Sequence, residues 1–96
     1  MRWAWSEEKN RLNKLKHGIS FETAQLVFDD PLALSRPDQH PDGDRWQTIG
    51  RAGATILFAV HTEPIEEPDG SAWGRIISVR KATAHERRQY EEETFW

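Results

Sequence analysis

Residues 55–62 constrain the fold most. There Ile56, Phe58 and Val60 alternate with Leu57 and Ala59. Successive side chains of a strand point to opposite faces. Both faces of this strand are therefore apolar, and it is expected to lie centrally in its sheet. Other strands are predicted around it. Residues 2–5 alternate, with Trp3 and Trp5 on one face. Residues 32–36 form a short strand that ends at a Pro/Asp/Gly loop over 37–43. Residues 45–51 form a further candidate, and 73–81 the last strand, with Ile76, Ile77 and Val79 inside it. The acidic stretch 63–72, with Pro64 and Pro68, reads as a loop.

Helix signals flank these strands. Ser6 is a good N-cap and is followed by Glu7 and Glu8, which suit the positive end of a helix dipole. Gly18 is placed as the left-handed residue that ends this helix. Ser20 caps a second helix carrying Phe21, Ala24, Val27 and Phe28 at helical spacing. Ile19 is placed to pack on Ala24 across that cap, and Asp29-Asp30-Pro31 closes the run. Thr83-Ala84-His85-Glu86 matches a capping box and starts a third helix over about 84–93. Consecutive strands between flanking helices define an α+β class with a mainly antiparallel sheet of about four strands, two N-terminal helices and a C-terminal helix.

The chain of 96 residues is the size of one domain, taken as 1–96. It has no cysteine, so disulfides and thiolate metal sites play no part. No apolar run approaches the ~18 residues of a membrane span, and the first residues lack a signal-peptide core, so a cytoplasmic protein is expected. A net charge of −3 argues against a general nucleic-acid coat and leaves room for a local cationic site. The acids gather at 63–69 and at Glu91-Glu92-Glu93, while bases sit near the start and around 75–88.

One such site is suggested by the first helix. At ~100° per residue, Lys9, Asn13, Lys16 and His17 fall within about a quarter-turn, with Leu12 and Leu15 beside them. Amine, amide and imidazole along the margin of a buried seam suit an anion, with nucleic-acid phosphate the foremost candidate.

Trp5-Ser6-x-x-Lys9-Asn10-x-x-Asn13-x-x-Lys16-His17-Gly18, followed by Phe21-Glu22-x-Ala24, resembles the opening of the BrnT toxins of bacterial type II toxin–antitoxin pairs. Residues 75–82, then Glu86-Arg87 and Tyr90, resemble the closing motif. Phe28-Asp29-Asp30-Pro31, Arg45 and Gly50 fit between them. The resemblance implies a RelE-like fold and a ribonuclease that inhibits translation and needs neither metal nor another cofactor. It also implies a partner: a BrnA-like antitoxin with a ribbon-helix-helix domain, which neutralises the toxin in a hetero-oligomer and carries the contact with operator DNA. The resemblance implies RNA as the substrate and no part for a membrane.

Cleavage of RNA by its own 2′-hydroxyl needs a base, cations around the phosphate and an acid for the leaving 5′-oxygen. Arginine suits the phosphate because its planar fork grips two oxygens and stays charged. The catalytic candidates are Arg80, Arg51, His17, Lys16 and Glu22, and the RNA-binding candidates are Lys9, Asn13, Arg45, Arg75 and Tyr90. Arg80 leads because it stands near the helix N-terminus at Thr83. In a regular final strand Arg80 shares a face with Ile76 and Ser78, and Arg75 faces the other way. Plainer roles compete. Asn10 and Asn13 suit hydrogen bonds between elements, His17 suits a helix C-terminus, and Glu86 suits the capping box. Trp46 and Trp73 could stack bases or be buried. Phe95-Trp96 is expected to pack on the body or on a partner. His40, His61 and His85 show no metal-ligand spacing. A second function class is a catalytically weak module that binds an antitoxin within an autorepressor complex on operator DNA.

Overall fold

The computed structural model describes residues 1–41 and 43–95. Strand β1 (Arg2–Ala4) leads into helix α1 (Glu7–His17). Ser6 caps α1 by accepting from the Lys9 N–H, and Gly18 ends it with φ 74°. Helix α2 (Phe21–Ala24) starts at Ser20, whose hydroxyl accepts from the Thr23 N–H, and Ile19 joins Ala24 in one core cluster. The second helix is shorter than its apolar spacing predicts. After Ala24 the chain tightens into a 3₁₀ turn over Gln25–Asp29, which keeps Val27 buried and Phe28 packed on the core.

Strands β2 (Leu34–Pro37), β3 (Arg45–Ala52), β4 (Thr55–Thr62), β5 (Ile65–Glu66) and β6 (Ala72–Lys81) follow, then helix α3 (Ala84–Glu92). The described strands form one sheet in the order β1-β6-β4-β3-β2, with β5 also on β6. As expected, β4 is central. The sheet has six strands rather than about four, because β1 joins it and the acidic stretch contributes β5. It is also mixed, since β1 runs parallel to β6, with Trp3 opposite Gly74. That close pairing needs a glycine: a Cβ on residue 74 would stand 2.6 Å from the Trp3 ring.

Each face has its own core. Leu57, Ala59, Ile76 and Val79 face α1, α2 and the 3₁₀ turn, packing on Ile19, Phe21, Ala24 and Val27. Ile49, Ile56 and Phe58 face the other way and pack on Ala82, Tyr90 and Phe95. Phe95 is buried, as its apolar character suggests; its neighbour Trp96 lies outside the described residues.

Helix α1 docks in an unexpected way. Its buried residues are Asn10 and Asn13, while Leu12 and Leu15 are 49% and 74% exposed. The Asn13 amide donates to the carbonyls of Ile19 and Val79 and accepts from the Val79 N–H. It therefore caps the edge of β6 as a neighbouring strand would, beyond the end of β1. Asn10 donates to Glu22 and accepts from the Phe21 N–H. The leucines do not mark the buried seam, because the amides supply what the strand edge and the α2 entry require.

Candidate active site

Four arginines from two strands share the face that α3 partly covers, Arg45 and Arg75 toward one end and Arg51 and Arg80 toward the other. On β3, Arg45 and Arg51 share the parity of Ile49, which packs on that face. On β6, Arg80 pairs with Phe58 and Ser78 with Val60. The register then shifts: Val60 opposes Ser78, but His61 opposes Ile76, so Ile77 is an extra residue. This β-bulge turns Ile76 toward the α1 face and returns Arg75 to the side of Arg80. The expectation that the two arginines face opposite ways, with Ile76 beside Arg80, holds only for an unbulged strand and is corrected here.

The arginines differ in their partners. Arg80 forms a two-pronged pair with Glu86, at 2.7 and 3.0 Å, and its guanidinium lies 4.2 Å from the Phe58 ring centroid. Glu86 also accepts from the Thr83 N–H, completing the expected capping box. Burial pulls the Glu86 carboxyl up, but the Arg80 fork and the Thr83 N–H outweigh it and leave the group below its ordinary value. Arg80 keeps its Nε–H and one Nη2 hydrogen outside these bonds. Arg51 lies 5.8 Å from the Tyr90 ring centroid, and its backbone N–H donates to Asp30. The Asp30 carboxylate also accepts from the Tyr90 hydroxyl at 2.6 Å, a bond that pushes the phenol pKa up. Tyr90 thus ties α3 to the 3₁₀ turn, and its hydroxyl is already engaged.

Arg45 is held less firmly. Its Nε is 3.9 Å from Asp44, and this nitrogen is buried with no hydrogen-bond acceptor among the described residues. The exposed Arg75 has no carboxylate partner among the described residues. It borders a hollow of about 380 Å³ with Thr62, Trp73 and Asp44. Trp73, one of the two stacking candidates, is anchored there by its indole N–H on Glu67.

The other predicted residues stand apart from this face. Glu22 belongs to a cleft between α1 and α2 with Arg11, Lys14 and Ser20, on the layer that covers the opposite face. Its carboxyl is held below its ordinary value chiefly by the Asn10 amide. A place beside the strand arginines is therefore not open to it. Asn13 is fully engaged by β6, as described above. Lys9, Lys16 and His17 share its side of α1 and so line the outer edge of β6, with both lysines exposed.

Sequence reasoning missed Arg36. It shares the parity of Leu34 on β2, donates from Nε to Gln47 and lies 4.2 Å from the Phe95 ring centroid. Its alternation with Leu34 was the available signal. The bulge left none, since Ile76 and Ile77 are both apolar.

Sheet and helices together define a small α+β protein that carries several arginines on one face of its sheet. Within that class, residues 5–86 match the family model of the ribonuclease toxin BrnT of type II toxin–antitoxin systems, and the chain belongs to that family. A search of curated proteins finds no match. No helix among the described residues is long and apolar enough to cross a membrane.

Proposed function

We propose that this chain is a RelE-like endoribonuclease that works as one domain over residues 1–96 and cleaves RNA without metal on the arginine face. In this reading Arg45 and Arg75 flank the scissile phosphate at one end of the strands, while Arg51 and Arg80, toward the other end, hold a neighbouring stretch of the RNA backbone. The RNA 2′-oxygen attacks phosphorus and the bond to the 5′-oxygen breaks, leaving a 2′,3′-cyclic phosphate and a 5′-hydroxyl. Guanidinium groups offset the charge that builds on the phosphate oxygens in that step. His17, at the end of the helix docked along the outer edge of β6 and over the opposite face, stands apart from these arginines and is given no part in the proton transfers. Lys9 and Lys16 add charge along the same edge, and Trp73 offers a ring for a base beside Arg75. The observation that carries this reading is that Arg45, Arg51, Arg75 and Arg80 share one face of the sheet, with Arg75 exposed and without a carboxylate partner among the described residues.

The toxin's consequences follow as part of the same reading: loss of translated RNA in the cytoplasm, and neutralisation by a BrnA-like ribbon-helix-helix antitoxin that alone touches operator DNA. The binding-module alternative has support of its own. Leu12 and Leu15 are exposed on α1 between Arg11, Lys14 and Lys16, a surface suited to an acidic, amphipathic segment of that antitoxin.

Purified chain incubated with RNA and excess chelator tests the reading. Cleavage is expected to persist with chelator and to fall at least tenfold in Arg45→Ala and in Arg75→Ala, with circular dichroism melts unchanged. Cleavage at the native rate in both variants would overturn it. A folded native chain that leaves RNA intact would favour the binding module.

A further inference from the structure

The face opposite the arginines carries a second hollow, of about 280 Å³, for which RNA cleavage gives no task. Its walls include Trp3, Phe28 and Trp46, and its polar lining is Ser35, Thr48, His61 and Glu63. Trp3 and Phe28 stack with centroids 3.9 Å apart, and the His61 ring meets both edge-on. Among the described residues, no lysine or arginine lines this hollow. It therefore lacks the means to attract a phosphate and suits an uncharged ring.

The hydrogen bonds below it run in one direction. His61 Nδ1 lies 2.8 Å from the Thr62 carbonyl, which can only accept, so Nδ1 carries the hydrogen. Burial of His61 holds its pKa below the ordinary value and keeps the ring neutral, so Nε2 is an acceptor. Thr48 Oγ1, 2.6 Å away, donates its single hydrogen there. Ser35 Oγ, 2.7 Å from Thr48, must then donate to Thr48. Ser35 is left with lone pairs alone for anything in the hollow. Glu63, exposed and without a hydrogen bond or ion pair among the described residues, adds a carboxylate. The floor and margin thus present acceptors beside flat aromatic walls.

We propose that this hollow binds a single planar nucleobase that offers adjacent N–H donors, the pattern on the pairing edge of guanine and absent from that of adenine. The aromatic walls supply stacking, Glu63 takes the paired donors, and Ser35 accepts from a further N–H. The ligand is recognised as a nucleoside, with no part played by its phosphate. Glu63 also borders the hollow beside Arg75, so of the test variants Ser35→Ala is the one confined to this hollow.

Tryptophan fluorescence of the full chain, titrated with guanosine and with adenosine, tests it. Saturable quenching by guanosine is expected, with adenosine at least tenfold weaker and inorganic phosphate without effect on the guanosine curve. Glu63→Gln, at an exposed position that leaves the melt unchanged, replaces half of the carboxylate with a donor and is expected to weaken guanosine at least tenfold. Ser35→Ala is expected to weaken it by a smaller factor. No saturation, equal binding of the two nucleosides, or native affinity in Glu63→Gln would each overturn the proposal.

Discussion

The two faces of the sheet are finished by different means. The α1 face is closed by two helices and a 3₁₀ turn over an apolar core, and its polar contacts are internal latches: Asn13 on Val79, Asn10 at the α2 entry, and Ser35–Thr48–His61. The arginine face is covered by α3 and Phe95 over only one end. There, guanidinium groups rest on Phe58, Tyr90 and Phe95. Cations on aromatic rings hold their position without losing their charge. One face is built for rigidity, and the other keeps charge available on a rigid support.

That contrast can be broken from the latched side first. Asn13→Ala removes three buried hydrogen bonds and leaves the Val79 amide and carbonyl without partners. It is expected to cost about 2–4 kcal/mol, read as a lower midpoint in denaturant titration, with little change in the kinetics of what remains folded. Gly74→Ala drives a methyl into the Trp3 ring and is expected to cost about 1–3 kcal/mol in the same titration. Thr83→Ala removes the α3 cap and loosens the setting of Glu86 and Arg80, for about 1 kcal/mol. Because it touches the arginine face, it is also expected to lower RNA cleavage, which Gly74→Ala spares in proportion to the fraction folded.

The smallest effect is one of pH. Burial holds His61 below its ordinary value of 6.5, so the unfolded chain binds the proton more readily. Its contribution to stability is complete above pH 6.5 and declines as pH falls toward the folded value. Glu86 is held below 4.5, and its contribution is lost further down, as pH falls below that value. Melting temperatures between pH 7.5 and 5 are expected to decline, and the slope is expected to flatten in His61→Gln.

Sequence reasoning recovered the features written into local chemistry. Ser6 and Gly18 bound α1, Thr83 and Glu86 define the α3 capping box, and the doubly apolar β4 is central. Each signal lies within a few residues, where propensity and hydrogen-bond stereochemistry suffice. What escaped depends on distant partners. Asn13 reads as a hydrogen-bonding link between elements, and so it is, but that its partner is Val79, far along the chain, is not legible. Ile77 reads as one more core residue until its register against β4 shows it to be extra. Ile65–Glu66 lacks a strand pattern and pairs only because β6 offers a free edge there. For the site, the arginine strands were legible but their common face was not, since one unpaired residue reverses every side chain beyond it. Glu22 was chosen for its chemistry, and the topology placed it on the other layer.

The most direct test of the central claim is to map where RNA touches the folded chain. Amide chemical shifts would be followed while an RNA blocked at its 2′-hydroxyl is added. The account predicts perturbations concentrated at Arg45, Thr62, Arg75, Ser78 and Arg80, with Leu57 and Ala59 and the α1–α2 cleft around Glu22 unmoved. Perturbations concentrated on that cleft, with the arginine strands silent, would contradict it.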